Sequence, residues 1–216
     1  MTAAAHRLPV AVVVGAVALV ACTRTVDNPQ PRPETLAAPI STLQVADLLS
    51  PKVAEGEGNL FVSVDPERCS GLAREVEPPF LRAGRPMATD GGHWTSDDSA
   101  VYVEEMAAVY RFDFDGPAAL QSARETIASC RDTPLSVTTM RGRTYVFTAA
   151  PEPAQDSEDS VRWSLRASDW NCDNVFVAAH NAAVEITTCG AGGGLDTASL
   201  AADARARIEA LANTTA

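Results

Sequence analysis

The stretch CDNVFVAAHNAAVEITTC, residues 172 to 189, constrains this chain more than any other part of it. Two arms rich in β-forming residues flank His180-Asn181, and asparagine tolerates positive φ, so a tight two-residue turn fits there. That turn would pair Ala179 with Ala182, Val177 with Val184 and Val175 with Ile186, all on one apolar face. Continuing the register sets Cys172 opposite Cys189 in a non-hydrogen-bonded pair, where Cα atoms lie about 4.5 Å apart. A disulfide accepts that distance. The spacing therefore predicts a hairpin closed by Cys172–Cys189.

Five cysteines are present, an odd number, and the first has a different setting. His6 and Arg7 precede the uncharged run LPVAVVVGAVALVA, residues 8 to 21. As a helix this run covers only about 21 Å, short of a bilayer core of roughly 30 Å, which favours a signal-peptide core over a permanent span. It ends in LVAC, residues 19 to 22, which resembles the lipobox of bacterial lipoproteins. That resemblance implies that residues 1 to 21 are removed and that Cys22 becomes the lipid-bearing N-terminus. The following stretch to residue 40 is polar and proline-rich and reads as a disordered tether. The expectation is a lipid-anchored protein facing the extracytoplasmic side of the cell membrane, with a domain over residues 41 to 216.

Export would place Cys69, Cys130, Cys172 and Cys189 where disulfides persist. Four cysteines allow three connectivities. With Cys172–Cys189 set by the hairpin, Cys69–Cys130 is left as a long-range bridge. No CxxC pair exists, and His93 and His180 lack metal-ligand spacing, so no metal site and no cofactor are expected.

Acidic residues outnumber basic ones by 28 to 17, a net charge of −11, and Lys52 is the single lysine. A phosphate backbone needs clustered positive charge, so nucleic acid is not an expected partner. Anionic lipid surfaces are disfavoured for the same reason, and the excess acid reads as a solubility feature.

Along the domain, residues 41 to 51 predict a short amphipathic helix capped by Ser41, with Leu43, Val45, Leu48 and Leu49 apolar, stopped at Pro51. NLFVSV, 59 to 64, reads as a strand, and PERCSGLAREV, 66 to 76, as a helix opened by proline that carries Cys69. Residues 77 to 92 are turn-rich and resist placement. HWTSD and AVYVEEMAAVYRF read as two strands. Residues 115 to 130 predict a helix with Asp115 as cap and Leu120, Ala123 and Ile127 on one face, closed by Cys130. A hairpin turning near Arg141-Gly142 follows, then a polar excursion over 151 to 159. In SVRWSLRAS, Val161, Trp163 and Leu165 should face inward, with Arg162, Ser164 and Arg166 on a wet face. A last helix is capped by Asp196, with Leu200, Ala204, Ile208 and Leu211 as its stripe. Helices at both ends and a long antiparallel middle indicate an α+β layer fold.

Catalytic motifs are few. CGAGGG, 189 to 194, lacks the Lys-Ser/Thr pair of a phosphate loop and reads as a flexible connector. DFDG, 113 to 116, lacks the further oxygen ligands of a calcium loop, so a helix cap is the better reading. There is no GxSxG elbow and no free cysteine beside a histidine. His93 and His180 read as surface or turn residues. Carboxylates are plentiful, but nothing marks a catalytic pair. Trp94, Trp163 and Trp170 read mainly as core, with a cleft wall as the alternative for one of them.

The lipobox, the proline-rich tether, ERCSG, ASC, SDWNC, HNAAVEITTC and the closing helix together resemble the PknH-like extracellular sensor domain family, over about residues 41 to 213. The most specific part is Trp170-x-Cys172 followed by Asn181, VEI and Cys189. The resemblance implies a twisted antiparallel sheet with helices packed against it, a cleft and two disulfides, which matched by position are Cys69–Cys130 and Cys172–Cys189. It also implies binding of an extracellular ligand, small-molecule or envelope-derived, without catalytic residues; ligand-binding residues are not assigned. Two departures stand out: no kinase and no second span follow the domain, and a single Asn181 stands where an asparagine pair is expected. The expected function is that of a non-catalytic envelope lipoprotein with a sensor-like domain. The alternatives are a carrier of lipids or small molecules, a protein-interaction module with an exposed apolar patch, and an enzyme marked by pKa-shifted carboxylates in the cleft.

Overall fold

The computed structural model describes residues 38–54, 58–98, 100–151 and 157–213. The expected signal segment, Cys22 and the tether up to residue 37 lie outside them, as do residues 152–156 of the polar excursion. Eight strands form one curled antiparallel sheet. They are Phe61–Asp65 (β1), Ala88–Thr95 (β2), Val101–Val109 (β3), Pro134–Thr139 (β4), Thr144–Pro151 (β5), Ser160–Arg166 (β6), Asn171–Ala179 (β7) and Ala182–Gly190 (β8), in the order β1-β4-β5-β6-β7-β8-β3-β2. Helices Pro79–Ala83 (α1) and Gly116–Ser129 (α2) and a 3-10 helix, Glu67–Leu72, share one core with the sheet. Helix Thr197–Ala212 (α3) and a 3-10 helix, Thr42–Leu48, pack on the other face. The α+β class with two disulfides holds.

The hairpin register is the expected one. Cys172 lies opposite Cys189 with Cα atoms 4.1 Å apart, and Val175–Ile186, Val177–Val184 and Ala179–Ala182 pair along it. The turn works differently. His180, not Asn181, carries the positive φ of 51°. Asn181 is instead buried, and its Oδ1 accepts from the Ile40 N–H at 2.9 Å. Its Nδ2 donates to the carbonyls of Ile40 and Tyr110, both at 2.9 Å. One asparagine therefore clamps the entry of the domain to the central hairpin.

Alternation along β7 and β8 feeds two cores. Phe176, Ala178, Ala183 and both disulfides join Leu72, Leu81, Leu120, Phe147 and Trp163 under α1 and α2. Val175, Val177, Val184 and Ile186 join Ile40, Leu48, Val103 and Ile208 under α3. The central strands are thus buried on both faces, which explains their near-continuous apolar composition. The wet face expected for β6 is found only at Arg166, whereas Arg162 and Ser164 are buried like their neighbours. That side is occupied by the loop at Ser157–Asp159 and by α3, with Asp159 paired to Arg205. The stripe of α3 is also rotated. Ala201, Ala204, Ile208 and Ala212 face the sheet, while Leu200 and Leu211 flank it. Small residues on the inner face allow the helix to approach the sheet closely.

The N-terminal segment forms a 3-10 turn, and Leu43 points outward at 92% exposure, contrary to the amphipathic expectation. The unplaced region 77–92 holds α1 and the first half of β2. Cys69–Cys130 joins the 3-10 helix Glu67–Leu72 to the end of α2, as the order of elements required.

Candidate functional site

A cavity of about 250 Å3 opens on the α1/α2 side of the sheet. Its lining comes from strands that are far apart in sheet order: Phe61 of β1, Thr139 of β4 and Tyr145 of β5 on one side, Tyr102 of β3 and Cys189 of β8 on the other. Only a curled sheet brings those strands around one space. Asn59, Glu75, Arg143 and Trp170 complete the lining from connecting segments.

The aromatic wall is mutually packed. Tyr145 meets Phe61 edge-on at 6.1 Å between centroids and lies nearly parallel to Trp170 at 6.4 Å. The Arg143 guanidinium sits 4.6 Å above the Tyr145 ring, and its Nη2 donates to Asp169 Oδ2 at 2.7 Å. Tyr145, Arg143 and Asp169 thus organise the two turns that flank the opening, β4–β5 and β6–β7.

Glu75 is held by β1. Its N–H donates to the Phe61 carbonyl at 2.9 Å, and its Oε2 accepts from the Phe61 N–H at 2.7 Å. The side chain so completes the pairing of an edge strand, although Glu75 is only 7% exposed. Burial pushes its carboxyl well above the ordinary range, the Phe61 N–H opposes this, and the nearby Glu104 and Glu185 carboxyls push it further up.

Those two lie on the same face of β3 and β8. Glu104 is buried, its Oε2 accepts from the Tyr102 hydroxyl at 3.3 Å, and burial pushes its pKa up to about 8. Glu185 is also pushed up to about 8 by burial, and its Oε2 has no hydrogen-bond partner. Burial first, then Glu104 and Glu75, raise the Tyr102 phenol. Protonated carboxyls can occupy this apolar ground near neutral pH, whereas isolated carboxylates cannot.

Of the tryptophans, Trp170 lines the cavity. Trp163 is core, with Nε1 donating to the Leu72 carbonyl at 2.8 Å, and Trp94 lies under the other face. His93 stacks on Tyr102 at 5.3 Å, beside the cavity, and His180 Nε2 lies 3.1 Å from Glu209 Oε2. Asp115 caps α2, accepting from the Ala118 N–H at 2.9 Å. The glycine connector is tied down, since the Gly194 N–H donates to Asp173 Oδ2 at 2.8 Å. Sequence reasoning did not single out Glu75, Glu104, Glu185, Tyr102 or Arg143. The one available signal was the pair Glu104-Glu105 inside an otherwise apolar strand. Among the described residues, no group of three His, Cys, Asp or Glu side chains is placed to hold a metal ion.

Residues 40–207 match the family described as the PknH-like extracellular domain. The fold is similar to the crystal structure of the extracellular domain of PknH from Mycobacterium tuberculosis, with a TM-score of 0.60 and 17% identity. That likeness covers 82% of this chain and 98% of the PknH domain. No curated protein matches the sequence. Among the described residues, no helix is long and apolar enough to cross a membrane. A sheet of this order, two disulfides and a family match over most of its length agree: the chain belongs to the PknH-like extracellular domain family.

Proposed function

We propose that this protein is an envelope lipoprotein, acylated at Cys22 and held at the extracytoplasmic face of the cell membrane by a tether that ends before Ile40, which is buried in the domain core. Its domain acts as a non-catalytic sensor-type module that binds a small ligand. The cavity beside Glu75 carries the reading. It joins a wall of three packed rings, Phe61, Tyr145 and Trp170, to a few polar groups, the usual chemistry of a ligand pocket. At about 250 Å3 it suits a molecule smaller than most drugs. The raised carboxyls also bear on a hydrolytic alternative. Acid–base catalysis asks for two titrating groups with pKa values pushed apart, and Glu104 and Glu185 are pushed in the same direction as Glu75. Binding is therefore the better supported reading.

The test is the mass of the full chain purified from its own envelope under oxidising conditions, native and then denatured. A ligand-sized excess in the native spectrum, lost on denaturation and absent when Trp170 is replaced by alanine, is the expected outcome. An excess untouched by Trp170→Ala would place the ligand elsewhere and overturn the site. The denatured spectrum also reads the anchor: an acylated N-terminal Cys22 peptide is expected, and an intact residue 1–21 segment would overturn it.

A further inference from the structure

We infer that the cavity selects a small organic cation, an ammonium group held by the Glu75 carboxylate against the rings of Tyr145 and Trp170. The inference rests on the binding reading above and adds the chemistry of the ligand.

Glu75 has two oxygens in different situations. Oε2 is used by the Phe61 N–H at 2.7 Å. Oε1 receives no hydrogen bond from any described residue, yet Glu75 belongs to the cavity wall and is more than nine-tenths buried. A buried carboxyl with one open oxygen has two stable conditions: protonated, or ionised against a cation. Among the described residues, no lysine or arginine is among the groups that act on the Glu75 carboxyl. Lys52, the only lysine, lies 4.6 Å over the Trp94 ring, on the opposite face of the sheet. Arg143 shares the cavity, but its guanidinium is committed to Asp169 and to the face of Tyr145. Arg143 nonetheless shows that the Tyr145 ring accepts a cation. Aromatic faces attract positive charge and leave neutral ligands with dispersion alone.

The other groups around Glu75 point the same way. Glu104 from β3 and Glu185 from β8 hold the Glu75 carboxyl up, towards its protonated form. An entering cation reverses this by favouring ionised Glu75, and the carboxyl proton leaves to solvent. Binding should therefore strengthen as pH rises through the elevated pKa of Glu75.

Choline and its uncharged isostere 3,3-dimethylbutan-1-ol, equal in shape, separate charge from fit. Both are titrated into the full, disulfide-bonded chain while the Trp170 indole N–H resonance is followed. Choline is expected to shift that resonance and to bind at least about tenfold more tightly than the alcohol. Glu75→Gln should abolish the preference. Should that variant fail to fold, the wild-type titration repeated at two pH values decides: affinity for choline that rises with pH while that for the alcohol stays flat supports the inference. Equal binding of the two probes overturns the cation while leaving the cavity as the ligand site. No response to choline at tens of millimolar also overturns it, and the native-mass experiment then judges the cavity independently.

Discussion

Glu104 and Glu105 are neighbours in β3, and the pleat sends them to opposite faces of one sheet. Under α3, Glu105 is 1% exposed and well supplied with donors. Its Oε1 accepts from Trp94 Nε1 at 2.9 Å, and its Oε2 accepts from the Ser50 N–H at 2.9 Å and from Arg207 at 3.2 Å. Arg207 also donates to the Leu48 carbonyl at 2.8 Å, so one carboxylate ties β2, β3, α3 and the N-terminal 3-10 segment together. Across the sheet, Glu104 has a single long bond from Tyr102. The face that carries the cavity is instead secured by two disulfides, both within its core. Polar groups left under-paired are costly to fold around, and they are also the groups free to meet a ligand. One face is locked by satisfied charge, the other by covalent staples around under-paired carboxyls.

If that division is right, the cavity face depends most on its staples. Replacing Cys69 and Cys130 together by alanine should cost about 4 kcal/mol on the chain-entropy estimate for a bridge spanning 61 residues. Urea unfolding of the oxidised wild type and the double variant measures it. A loss under 1 kcal/mol would mean that the cavity face holds without the bridge.

The two glutamates make the next contrast. Glu105→Gln breaks a buried, hydrogen-bonded ion pair and should cost about 3 kcal/mol at neutral pH. Glu104→Gln should do the reverse at the alkaline end. Glu104 and Glu185 titrate near 8 in the fold and near the ordinary glutamate value when unfolded, so between those values the folded chain holds more protons. Stability contributed by these groups is greatest below about pH 4, declines as pH rises towards 8, and is flat beyond. Glu104→Gln removes one proton from this exchange, which should flatten the slope and leave the variant about 1–2 kcal/mol above wild type at pH 8. Thermal melts from pH 5 to 9 read both. Parallel slopes for Glu104→Gln and wild type would show that Glu104 is not held protonated.

Much of the frame was legible because it rests on local rules. The register from Ala179–Ala182 out to Cys172–Cys189 needs only a turn and a period of two, and the pairing of the other two cysteines follows. The misreadings share one cause, tertiary cover that a single segment does not announce. Arg162 and Ser164 looked like a wet face until the loop before β6 and α3 occupied it. Asn181 sits in the expected turn, but its work there is done by its side chain, which holds Ile40, 141 residues away. The cavity was the least legible part. Glu75, Tyr102, Arg143 and Trp170 meet only because the sheet curls, and curl is a property of eight strands together. Glu75 in AREVE reads as an ordinary surface acid until Phe61 claims it.

The smallest expected effect tests whether distance or burial sets the worth of a charge pair. Arg143–Asp169 is shorter than Arg207–Glu105, 2.7 Å against 3.2 Å, so distance alone would rank it stronger. Both its partners are 60% exposed, whereas Glu105 is 1% and Arg207 19% exposed. Water screens the first pair and also competes for its donors, so a double-mutant cycle of Arg143→Ala and Asp169→Ala should give a coupling of about 0.5 kcal/mol. The coupling should shrink further in high salt, while the Glu105 pair, shielded from solvent, should respond little. A coupling above 2 kcal/mol at the opening would mean that the cavity face carries a charged lock of its own, and the contrast between satisfied and unsatisfied faces would then fail at its rim.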